Sequence, residues 1–448
     1  MTQQELAPIC GSKGDHPPGG VQGQRPCALY SARHLKHDSL MLPPHLKFCV
    51  HQGTRVQLGV SGSVAAYKAL ELLRHFQELE LRVGVTLTEA ASRFVTPLSF
   101  EALGAETVYT SLWNTSDSAF GHLEPADEAR CFVIAPATAN TMARLAHGLA
   151  DEILCAQTLA FAGPVVLAPA MNPKLWNAAA TQENAHALQN RGAVLVDPDC
   201  GSMACGDVGK GRLAGLNAIV AHVLKALTEP RMAGTRVLVT LGPTREFFDP
   251  ARFWSNPSTG LMGASLAVAA WLMGAEVTVV HGPVDLWLPG AIRRYGVQTA
   301  VQMFEACTDL WPTQDVGLMT AAVSDFSPVP FGPEKFKKGS LGEKPLTMEF
   351  TANPDILRTL GEQKAAGQKL LGFCAETGDL ASSAARKLKE KNCDMLAANS
   401  IAAAGCGFAA PDNQVYVLDR AGRGEQWPLL SKAEVAWRLL EWMTQLLP

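Results

Sequence analysis

Two kinds of apolar pattern recur along most of the chain: short apolar runs, and apolar positions spaced three or four residues apart. Short apolar runs bounded by glycine, proline or polar residues are typical of buried strands, and Val56–Val60 is the first such run. In the segment that follows it, Ala69, Leu72, Leu73 and Phe76 share one face of a helix. Strands that alternate with helices in this way predict a parallel sheet covered by helices.

The strand–helix pattern occurs twice, on either side of a segment that contains Pro230 and Gly234. The first set of predicted strands is Val56–Val60, Arg82–Leu87, Phe132–Ala135, Pro164–Ala168 and Ala193–Val196. The second set is Arg236–Leu241, Glu276–Val280, Val316–Thr320, Lys369–Ala375, Met395–Asn399 and Gln414–Leu418. Each set opens with a strand, a glycine-containing turn and a helix. We therefore predict an α/β chain with two Rossmann-like parallel-sheet domains in tandem, at residues 54–225 and 236–448.

Residues 1–50 lack a sustained apolar period and are rich in glycine, proline, histidine and glutamine. This composition predicts a disordered extension, and the sequence indicates no role for it. A metal cluster in this region is disfavoured, because the candidate ligands match no zinc-binding spacing. These candidates are His34, His37, His45, Cys49 and His51.

The composition narrows the class of protein. The chain has 448 residues, of which 18% are charged, and its net charge of −4 gives no support for a nucleic-acid partner. The uncharged stretches 153–173 and 256–275 are interrupted by proline and glycine, so neither predicts a membrane span. The 11 cysteines are an odd number in a long chain without a recognisable export signal, which favours reduced thiols in a cytoplasmic protein.

Four motifs of the first domain are candidates for ligand binding. Gly59–Val64 lies between a strand and a helix, so its backbone N–H groups and hydroxyls suit a phosphate, although a tight turn explains it equally well. The segments 135–141 (APATANT) and 169–173 (PAMNP) place small and polar residues after two further strands. The segment 203–212 contains Cys205, and its glycines and cations predict a mobile loop over an anionic ligand.

Together, the segments 62–68 (GSVAAYK), 135–141, 169–172 and 204–212 resemble the flavin-dependent cysteine decarboxylases, phosphopantothenoylcysteine decarboxylase in particular. The resemblance covers about residues 54–225 and implies a flavodoxin-like domain that binds FMN. It implies an active-site histidine, a carboxylate-binding asparagine and a catalytic acid, which are His122, Asn172 and Cys205. The FMN-binding residues that it implies are Ser61, Gly62, Ser63, Thr88, Ser92, Pro136, Thr138 and Asn140. Pro125, close behind the histidine, departs from the family pattern and is expected to alter the backbone there.

These residue types suit the decarboxylation of a cysteine conjugate. An amino-acid carboxylate leaves poorly because the resulting carbanion has no electron sink, and FMN can create one by oxidising the substrate thiol to a thioaldehyde. Asn172 would hold the departing carboxylate, and His122 would act on the substrate thiol or carboxylate. Cys205 would then protonate the enethiolate carbon while reduced flavin returns a hydride.

The second domain carries its own candidate motifs. The segment 249–260 (DPARFWSNPSTG) leads into the helix predicted at Ser258–Met273, which Ser258 and Thr259 can cap. The segment 321–326 (AAVSDF) follows a predicted strand, and the segment 334–338 (EKFKK) lies in a loop that contains glycine and proline. Taken singly, a capping turn and a solvated run of lysines explain these segments equally well.

In order along the chain, these segments and 353–357 (NPDIL), 372–377 (GFCAET) and 387–399 (KLKEKNCDMLAAN) look like phosphopantothenate–cysteine ligase over about residues 236–425. The resemblance implies CTP as co-substrate, a Mg²⁺-dependent acyl-cytidylate and attack on it by the amine of cysteine. It implies that Asn256 polarises the acyl carbonyl, that Lys335 offsets charge on the leaving pyrophosphate, and that Arg252 meets phosphopantothenate. The remaining substrate and nucleotide contacts that it implies are Ala321, Asp325, Asn353, Pro354, Asp355, Ile356, Phe373, Lys387 and Lys391. It indicates no magnesium ligand.

The order of decarboxylase and ligase on one chain matches the bifunctional bacterial enzymes of coenzyme A synthesis. The resemblance implies conversion of 4′-phosphopantothenate and cysteine to 4′-phosphopantetheine, with small-molecule substrates and no nucleic-acid or membrane partner. It also implies a large homo-oligomer, in which decarboxylase halves form trimers and ligase halves form dimers.

Two alternatives stay open at this point. The first is a decarboxylase with a degenerate ligase half, and the presence of Asn256, Asp325 and Lys335 speaks against it. The second is a non-catalytic flavin-binding regulator of a partner protein, and the presence of Cys205 and the lack of an acidic tail speak against it.

Overall fold

Two mainly parallel sheets form the framework of the protein, one in each half of the chain. The structure is a computed structural model that describes residues 41–113, 120–203, 205–337, 346–376, 378–400, 407 and 410–447. The first sheet belongs to residues 54–228, the N-terminal half, and the second to residues 229–447, the C-terminal half.

The N-terminal half forms a parallel sheet because its apolar runs are short and are buried on both faces, as in β1 and β4. Its strands are β1 Arg55–Val60, β2 Arg82–Leu87, β3 Thr107–Tyr109, β4 Cys131–Ala137, β5 Val165–Pro169, β6 Val194–Leu195, β7 Asp199–Ser202 and β8 Val208–Arg212. Its helices are α1 Lys68–Glu78, α2 Pro97–Ala102, α3 Glu124–Glu128, α4 Ala139–His147, α5 Ile153–Ala160, α6 Pro173–Trp176, α7 Ala179–Asn190 and α8 Leu216–Leu227.

The C-terminal half repeats the alternation and adds several short strands. Its strands are β9 Arg236–Leu241, β10 Glu246–Asp249, β11 Arg252–Trp254, β12 Glu276–His281, β13 Arg293–Gly296, β14 Val316–Met319, β15 Phe326–Pro328, β16 Phe350–Ala352, β17 Lys369–Glu376, β18 Met395–Ser400, β19 Asp412–Asn413, β20 Val415–Asp419, β21 Gly424–Gln426 and β22 Leu430–Ser431. Its helices are α9 Leu261–Leu272, α10 Ala300–Leu310, α11 Ile356–Glu362, α12 Leu380–Glu390 and α13 Lys432–Thr444.

Both sheets have the strand order of the doubly wound Rossmann type. The first runs β3-β2-β1-β4-β5-β6, with all its neighbours parallel. The second runs β13-β12-β9-β14-β17-β18 and continues with the antiparallel strands β20 and β21. The order reverses between β1 and β4 in one sheet and between β9 and β14 in the other, and ligands bind at such switch points. The predicted fold of two Rossmann-like domains in tandem is therefore confirmed.

Local structure departs from the sequence predictions at two motifs. The segment 203–212, predicted as a mobile loop, includes strand β8, which pairs with β7 in an antiparallel hairpin. The helix predicted at Ser258–Met273 begins only at Leu261, after Gly260 at a φ of 76°. Ser258 and Thr259 do not cap it at the N-cap position, but their hydroxyls accept the N–H groups of Gly260 and Leu261.

Residues 41–51 form a strap of two short 3₁₀ turns, so the prediction of a disordered extension is wrong for residues 41–50. Leu42, Leu46 and Phe48 are buried, and the Phe48 ring lies 6.0 Å from the ring of Trp437 in α13. Prolines between these apolar residues break any helical or strand period, which is why the pattern did not reveal their burial. Residues 1–40 lie outside the described residues.

The strap contacts both halves. In the C-terminal half, the buried ring of His45 hydrogen-bonds through Nε2 to the carbonyl of Trp287 at 2.6 Å. In the N-terminal half, Lys47 forms an ion pair of 2.7 Å with Glu78 of α1. Helices α8 and α9 add a direct contact, in which the Lys225 ammonium lies 4.1 Å from the ring centre of Trp271. The strap and these helices therefore pack the two halves together.

Within the described ranges, no helix combines the length and the apolar character that a membrane span requires.

Candidate active sites

The switch point of the N-terminal half is held together by one buried hydroxyl. Ser61 follows β1, and its Oγ donates to the carbonyl of Pro136 at 2.7 Å and accepts the N–H of Thr138 at 2.9 Å. Gly62 packs tightly against the next loop, where an added Cβ would lie 2.4 Å from Cβ of Ala90. Ser61 and Gly62 therefore shape the predicted flavin site, and the hydroxyl of Ser61 is already engaged within the protein.

Other hydroxyls around this switch point keep a proton to donate. Ser63 and Thr138 accept backbone N–H groups as N-caps, Ser63 at the 3₁₀ turn before α1 and Thr138 at α4. Thr88, after β2, accepts the N–H of Ala91 at 3.1 Å. Ser63 and Thr88 act only as acceptors in these bonds, so their O–H groups are available to an anion, whereas the Thr138 hydroxyl also shares a hydrogen bond of 3.2 Å with that of Thr141. The start of α4 adds backbone N–H groups. Ser92 donates to the carbonyl of Thr88, and Asn140 is exposed.

Asn172 and Cys205 meet above the end of β5. Asn172 caps α6 by accepting the N–H of Lys174, and its amide Nδ2 lies 2.7 Å from Oδ2 of Asp207 and 3.2 Å from Sγ of Cys205. Gly211 allows the β7–β8 hairpin to approach this loop, because a Cβ there would lie 2.4 Å from the carbonyl oxygen of Met171.

Asp207 is a site residue that the sequence reasoning missed, although it stands inside the motif that contains Cys205. Its carboxylate receives hydrogen bonds from the Asn172 amide and the Lys174 ammonium, which lower its pKa and favour the ionised form. The Cys205 thiol lies 3.6 Å from Oδ2 of Asp207 and is exposed. The cluster thus presents an amide, a thiol and an orienting carboxylate side by side.

His122 lies in a separate turn before α3. The turn is closed by the N–H of Leu123, which donates to the carbonyl of Phe120 at 2.7 Å. Pro125 occupies the first turn of α3, where the missing N–H costs nothing, so it starts the helix without disturbing the turn. In the described part of the chain, no hydrogen bond joins His122 to Asn172 or Cys205.

The switch point of the C-terminal half is held by two asparagines. The Asn256 amide donates to the carbonyls of Ala322 and Val323, each at 3.2 Å. Asn353 donates through its side chain to the carbonyl of Ser324 at 2.8 Å and through its backbone to the carbonyl of Asp325 at 2.9 Å.

This arrangement bears on the role expected of Asn256. Its amide nitrogen donates to two carbonyls within the protein, so polarisation of an acyl carbonyl would require the amide to exchange one of these bonds. The asparagines brace the loop that contains Ala321 and Asp325, whereas Asp325 itself is exposed beside them.

Arg252 is tied to the lysine loop by a carboxylate that the sequence reasoning also missed. The fully buried side chain of Asp249 accepts the Arg252 guanidinium at 2.6 Å and the N–H of Phe336 at 3.0 Å. Burial would raise the pKa of Asp249, but the backbone N–H groups of Ala251, Phe336 and Arg252 outweigh it and lower the pKa. Lys335, next to Phe336, is exposed.

The other predicted nucleotide contacts flank the same loop. Lys391 pairs with Asp355, the N-cap of α11, and Lys387 pairs with Glu376 at 2.7 Å. Burial would raise the pKa of Asp355, but Lys391 and the N–H of Arg358 lower it. Pro354 and Phe373 are partly buried, and Ile356 is buried in the core of the half. Two predicted cations are thus paired with carboxylates in this state.

No group of three or more His, Cys, Asp or Glu side chains suited to a metal ion occurs in the described ranges. The eight cysteines of these ranges are all free. Burial raises the pKa of Cys131, Cys307 and Cys393 to about 12, so these thiols stay protonated at neutral pH.

Two family models match the chain. A flavoprotein model matches residues 50–228, and a model of the C-terminal domain of the DNA/pantothenate metabolism flavoproteins matches residues 232–447. Among curated relatives, the coenzyme A biosynthesis bifunctional protein CoaBC of Bacillus subtilis (strain 168) is 40% identical over 391 residues, which are 86% of this chain and 95% of that protein.

Two solved structures match the separate halves. One is the C-terminal domain of a CoaBC protein, with 36% identity and a TM-score of 0.41 over 49% of this chain and 98% of that one. The other is a PPC decarboxylase mutant complexed with pantothenoylaminoethenethiol, with 32% identity and a TM-score of 0.35 over 38% of this chain and 97% of that one.

The fold and the two switch-point sites define a flavoprotein domain fused to a pantothenate-metabolism domain. The chain belongs to the CoaBC family of bifunctional coenzyme A biosynthesis proteins. It is a bifunctional enzyme, with phosphopantothenoylcysteine decarboxylase and phosphopantothenate–cysteine ligase activities, as the resemblance implied.

Proposed function

We propose that the C-terminal half, residues 236–448, joins cysteine to 4′-phosphopantothenate with CTP and Mg²⁺, and that the N-terminal half, residues 54–225, decarboxylates the product with FMN. The observation that carries this proposal is the cluster of Asn172, Asp207 and Cys205 at the carboxyl edge of the first sheet. It combines a carboxylate-binding amide with an oriented thiol, which are the two groups that decarboxylation followed by carbon protonation requires.

The residues around the first switch point fit the phosphate of FMN. Ser63 and Thr88 offer hydroxyl protons, and the N-terminus of α4, capped by Thr138, offers backbone N–H groups, so these donors are neutral and suit an anion. Asn140 and Ser92 stand at the same edge of the sheet. When bound, FMN would supply the electron sink that the departing carboxylate needs.

In the decarboxylase site, Asn172 would exchange its weak bond to the Cys205 sulfur for a bond to the substrate carboxylate. Asp207 holds the other amide hydrogen, so the side chain cannot turn away. The ionised carboxylate of Asp207 also accepts from the Cys205 thiol, so the bond fixes the position of the sulfur, and the thiol proton would leave this bond to reach the substrate carbon. His122 would act on the substrate thiol or carboxylate.

In the ligase site, Lys335 and Arg252 would act together on phosphates. Asp249 binds Arg252 and the backbone of the lysine loop, so an anion that binds the guanidinium also orders the loop. Lys387 and Lys391 would leave their carboxylate partners for the nucleotide phosphates, and Asp325 would accept from the cytidine. Asn256 would hold the loop of Ala321 in place and present Oδ1 to the substrate.

We include a homo-oligomer in this proposal. Phe120 and Leu123 close the His122 turn and are 66% and 40% exposed. Exposed apolar side chains grouped in this way mark interaction surfaces. Since His122 makes no hydrogen bond to Asn172 or Cys205 within the described chain, a second copy would complete the decarboxylase site.

One experiment tests both half-reactions. The purified full-length protein is mixed with phosphopantothenate, CTP, Mg²⁺ and cysteine, and the release of pyrophosphate and of CO₂ is followed. Release of both supports the proposal, and repeating the assay with ATP measures the nucleotide preference. Release of CO₂ from supplied phosphopantothenoylcysteine without pyrophosphate would indicate a degenerate ligase half. Bound flavin with neither product would indicate a binding protein.

A further inference from the structure

Three buried polar side chains form a one-way chain of hydrogen bonds inside the N-terminal half. Gln57 of β1 donates through Nε2 to Thr86 of β2 at 2.8 Å, and the Thr86 hydroxyl donates to Oε1 of Gln157 in α5 at 2.5 Å. Gln157 then donates through Nε2 to the carbonyl of Gly121 at 2.7 Å. All three side chains have 0% exposure.

Burying such a series of polar side chains is energetically unfavourable in a sheet that is otherwise packed with apolar residues. A buried amide or hydroxyl without a partner is unfavourable, and these three groups satisfy most of one another's donors and acceptors, although Oε1 of Gln57 has no partner among the described residues. The chain is directional, since each group both orients its neighbour and is oriented by it. Its end is the backbone carbonyl immediately before His122, outside the sheet and α5.

That carbonyl belongs to the central peptide of the His122 turn. Gly121 and His122 are the middle residues of the turn that Phe120 and Leu123 close. Neither middle residue has a positive φ. Rotating the central peptide by about 180° would give a type II turn, in which the carbonyl of Gly121 points the other way and His122 takes a positive φ. The bond from Gln157 is therefore made in one of the two turn conformations and lost in the other.

Separate contacts hold the helix that follows. Tyr109 donates to the Glu124 carboxylate at the start of α3, and Arg55 pairs with Glu128 at its end. These contacts fix α3 but do not determine the orientation of the peptide between Gly121 and His122. Gln157 hydrogen-bonds to the carbonyl of that peptide.

We infer that Gln157, supported by Thr86 and Gln57, is a positioning residue for decarboxylation, which holds the His122 turn in one conformation. This inference rests on the proposed role of His122. Gln157 touches neither the histidine side chain nor the predicted flavin-binding residues in the bonds described, so it acts through the backbone.

The test is a kinetic comparison of full-length variants on supplied phosphopantothenoylcysteine. Gln157→Leu removes the bond and is expected to lower kcat for decarboxylation about tenfold, the effect of one buried hydrogen bond, while KM changes little. Bound flavin, its visible spectrum and the ligase activity of the same preparation should stay unchanged, which shows that the protein is folded. Thr86→Val, of nearly equal volume, removes the hydrogen bond from the Thr86 hydroxyl to Gln157 and should give a smaller fall in kcat.

Thr158→Val is the matched control. Thr158 is the next residue of α5, is buried, and donates only to the carbonyl of Leu154 in its own helix, so this variant should keep the kcat of the parent. Equal kcat for Gln157→Leu and the parent, or a rise in KM with kcat unchanged, would overturn the positioning role.

A double variant separates this inference from the role of His122. If Gln157 acts through His122, then adding Gln157→Leu to His122→Asn should lower kcat no further. Additive losses would contradict the inference. Full decarboxylation by His122→Asn alone would instead refute the proposed role of the histidine, whatever Gln157→Leu does.

Discussion

At the switch point of the N-terminal half, one buried hydroxyl, Ser61, joins the loops after β1 and β4. At the equivalent point of the C-terminal half, the side chain of Asn256 joins the corresponding loops. The surroundings differ in charge as well. The first site is lined by neutral hydroxyls and helix starts, whereas the second is flanked by ion pairs such as Lys387–Glu376.

The difference follows from what each site has to hold. A cofactor that stays bound through many turnovers suits a fixed, neutral cradle of donors, because no charge has to be separated when it leaves. A triphosphate that enters and leaves in each turnover suits lysines that can exchange a carboxylate for a phosphate. The same strand order therefore supports two chemistries, because the function lies in the loops and not in the sheet.

The largest effect is expected at Cys205, and it should be confined to the first half. Cys205→Ser keeps the amide cluster and the flavin site, but a serine hydroxyl is far less acidic than a thiol. CO₂ should still be released, whereas formation of the saturated thiol should fall about 10²–10⁴-fold, the range for loss of a general acid. Mass spectrometry of the products measures this, with ligation as the internal control. Normal phosphopantetheine formation would refute the assignment.

Lys335→Gln is the corresponding test of the second half. Loss of one charge that acts on the leaving phosphates should lower ligation about 10²–10³-fold, while decarboxylation of supplied phosphopantothenoylcysteine is unchanged. Lys389→Gln removes an exposed lysine at the end of α12 and serves as the matched control, with little expected effect. Ligation that survives Lys335→Gln would show that the loop is merely a solvated surface.

The bracing residues of the two switch points can be compared directly. Ser61→Ala leaves the N–H of Thr138 without its hydroxyl acceptor, while the carbonyl of Pro136 keeps the backbone N–H of residue 61 at 3.2 Å. One unpaired backbone donor costs about 1–3 kcal/mol, so FMN affinity should fall about tenfold. Asn256→Asp places a carboxylate against two carbonyls, so formation of the acyl-cytidylate should fall together with its transfer to cysteine. Flavin titration and trapping of the cytidylate by mass spectrometry measure these effects. Accumulation of the cytidylate in Asn256→Asp would instead support polarisation of the acyl carbonyl.

A change at the strap, which contacts both halves, is expected to alter stability and leave both reactions unchanged. Burial lowers the pKa of His45 from 6.5 to about 4, so the folded protein keeps the ring neutral while the unfolded chain binds a proton. The contribution is complete above pH 6.5 and is lost as the pH falls toward 4, by about 3 kcal/mol in total. Denaturant unfolding of the parent and of His45→Gln at several pH values separates the contribution of His45 to the free energy of unfolding from that of the other titratable groups. Parallel pH profiles would contradict it.

Several elements could be predicted from the sequence because their signal is local. The strands at Arg82–Leu87 and Arg236–Leu241 have the bounds that their apolar runs predicted, and Gly274 ends α9 at a φ of 94° as a C-cap glycine does. The motifs that contain Asn172 and Cys205 were found for the same reason. Asp207 stood in one of those motifs and was missed, because its contact with Asn172 spans 35 residues.

The sequence by itself determined the alternation of strands and helices, the two-domain plan, the family and the motifs at the strand ends, since each depends on neighbouring residues or on order along the chain. Only the tertiary structure decided which groups are free to act. It showed that the Asn256 amide donates to a loop 66 residues away, that Lys391 is paired with Asp355, and that Gln157 hydrogen-bonds to the turn of His122. The physical reason is that hydrogen bonds and ion pairs consume donors and charges across distant segments, and a residue's type does not reveal whether its donors are already taken.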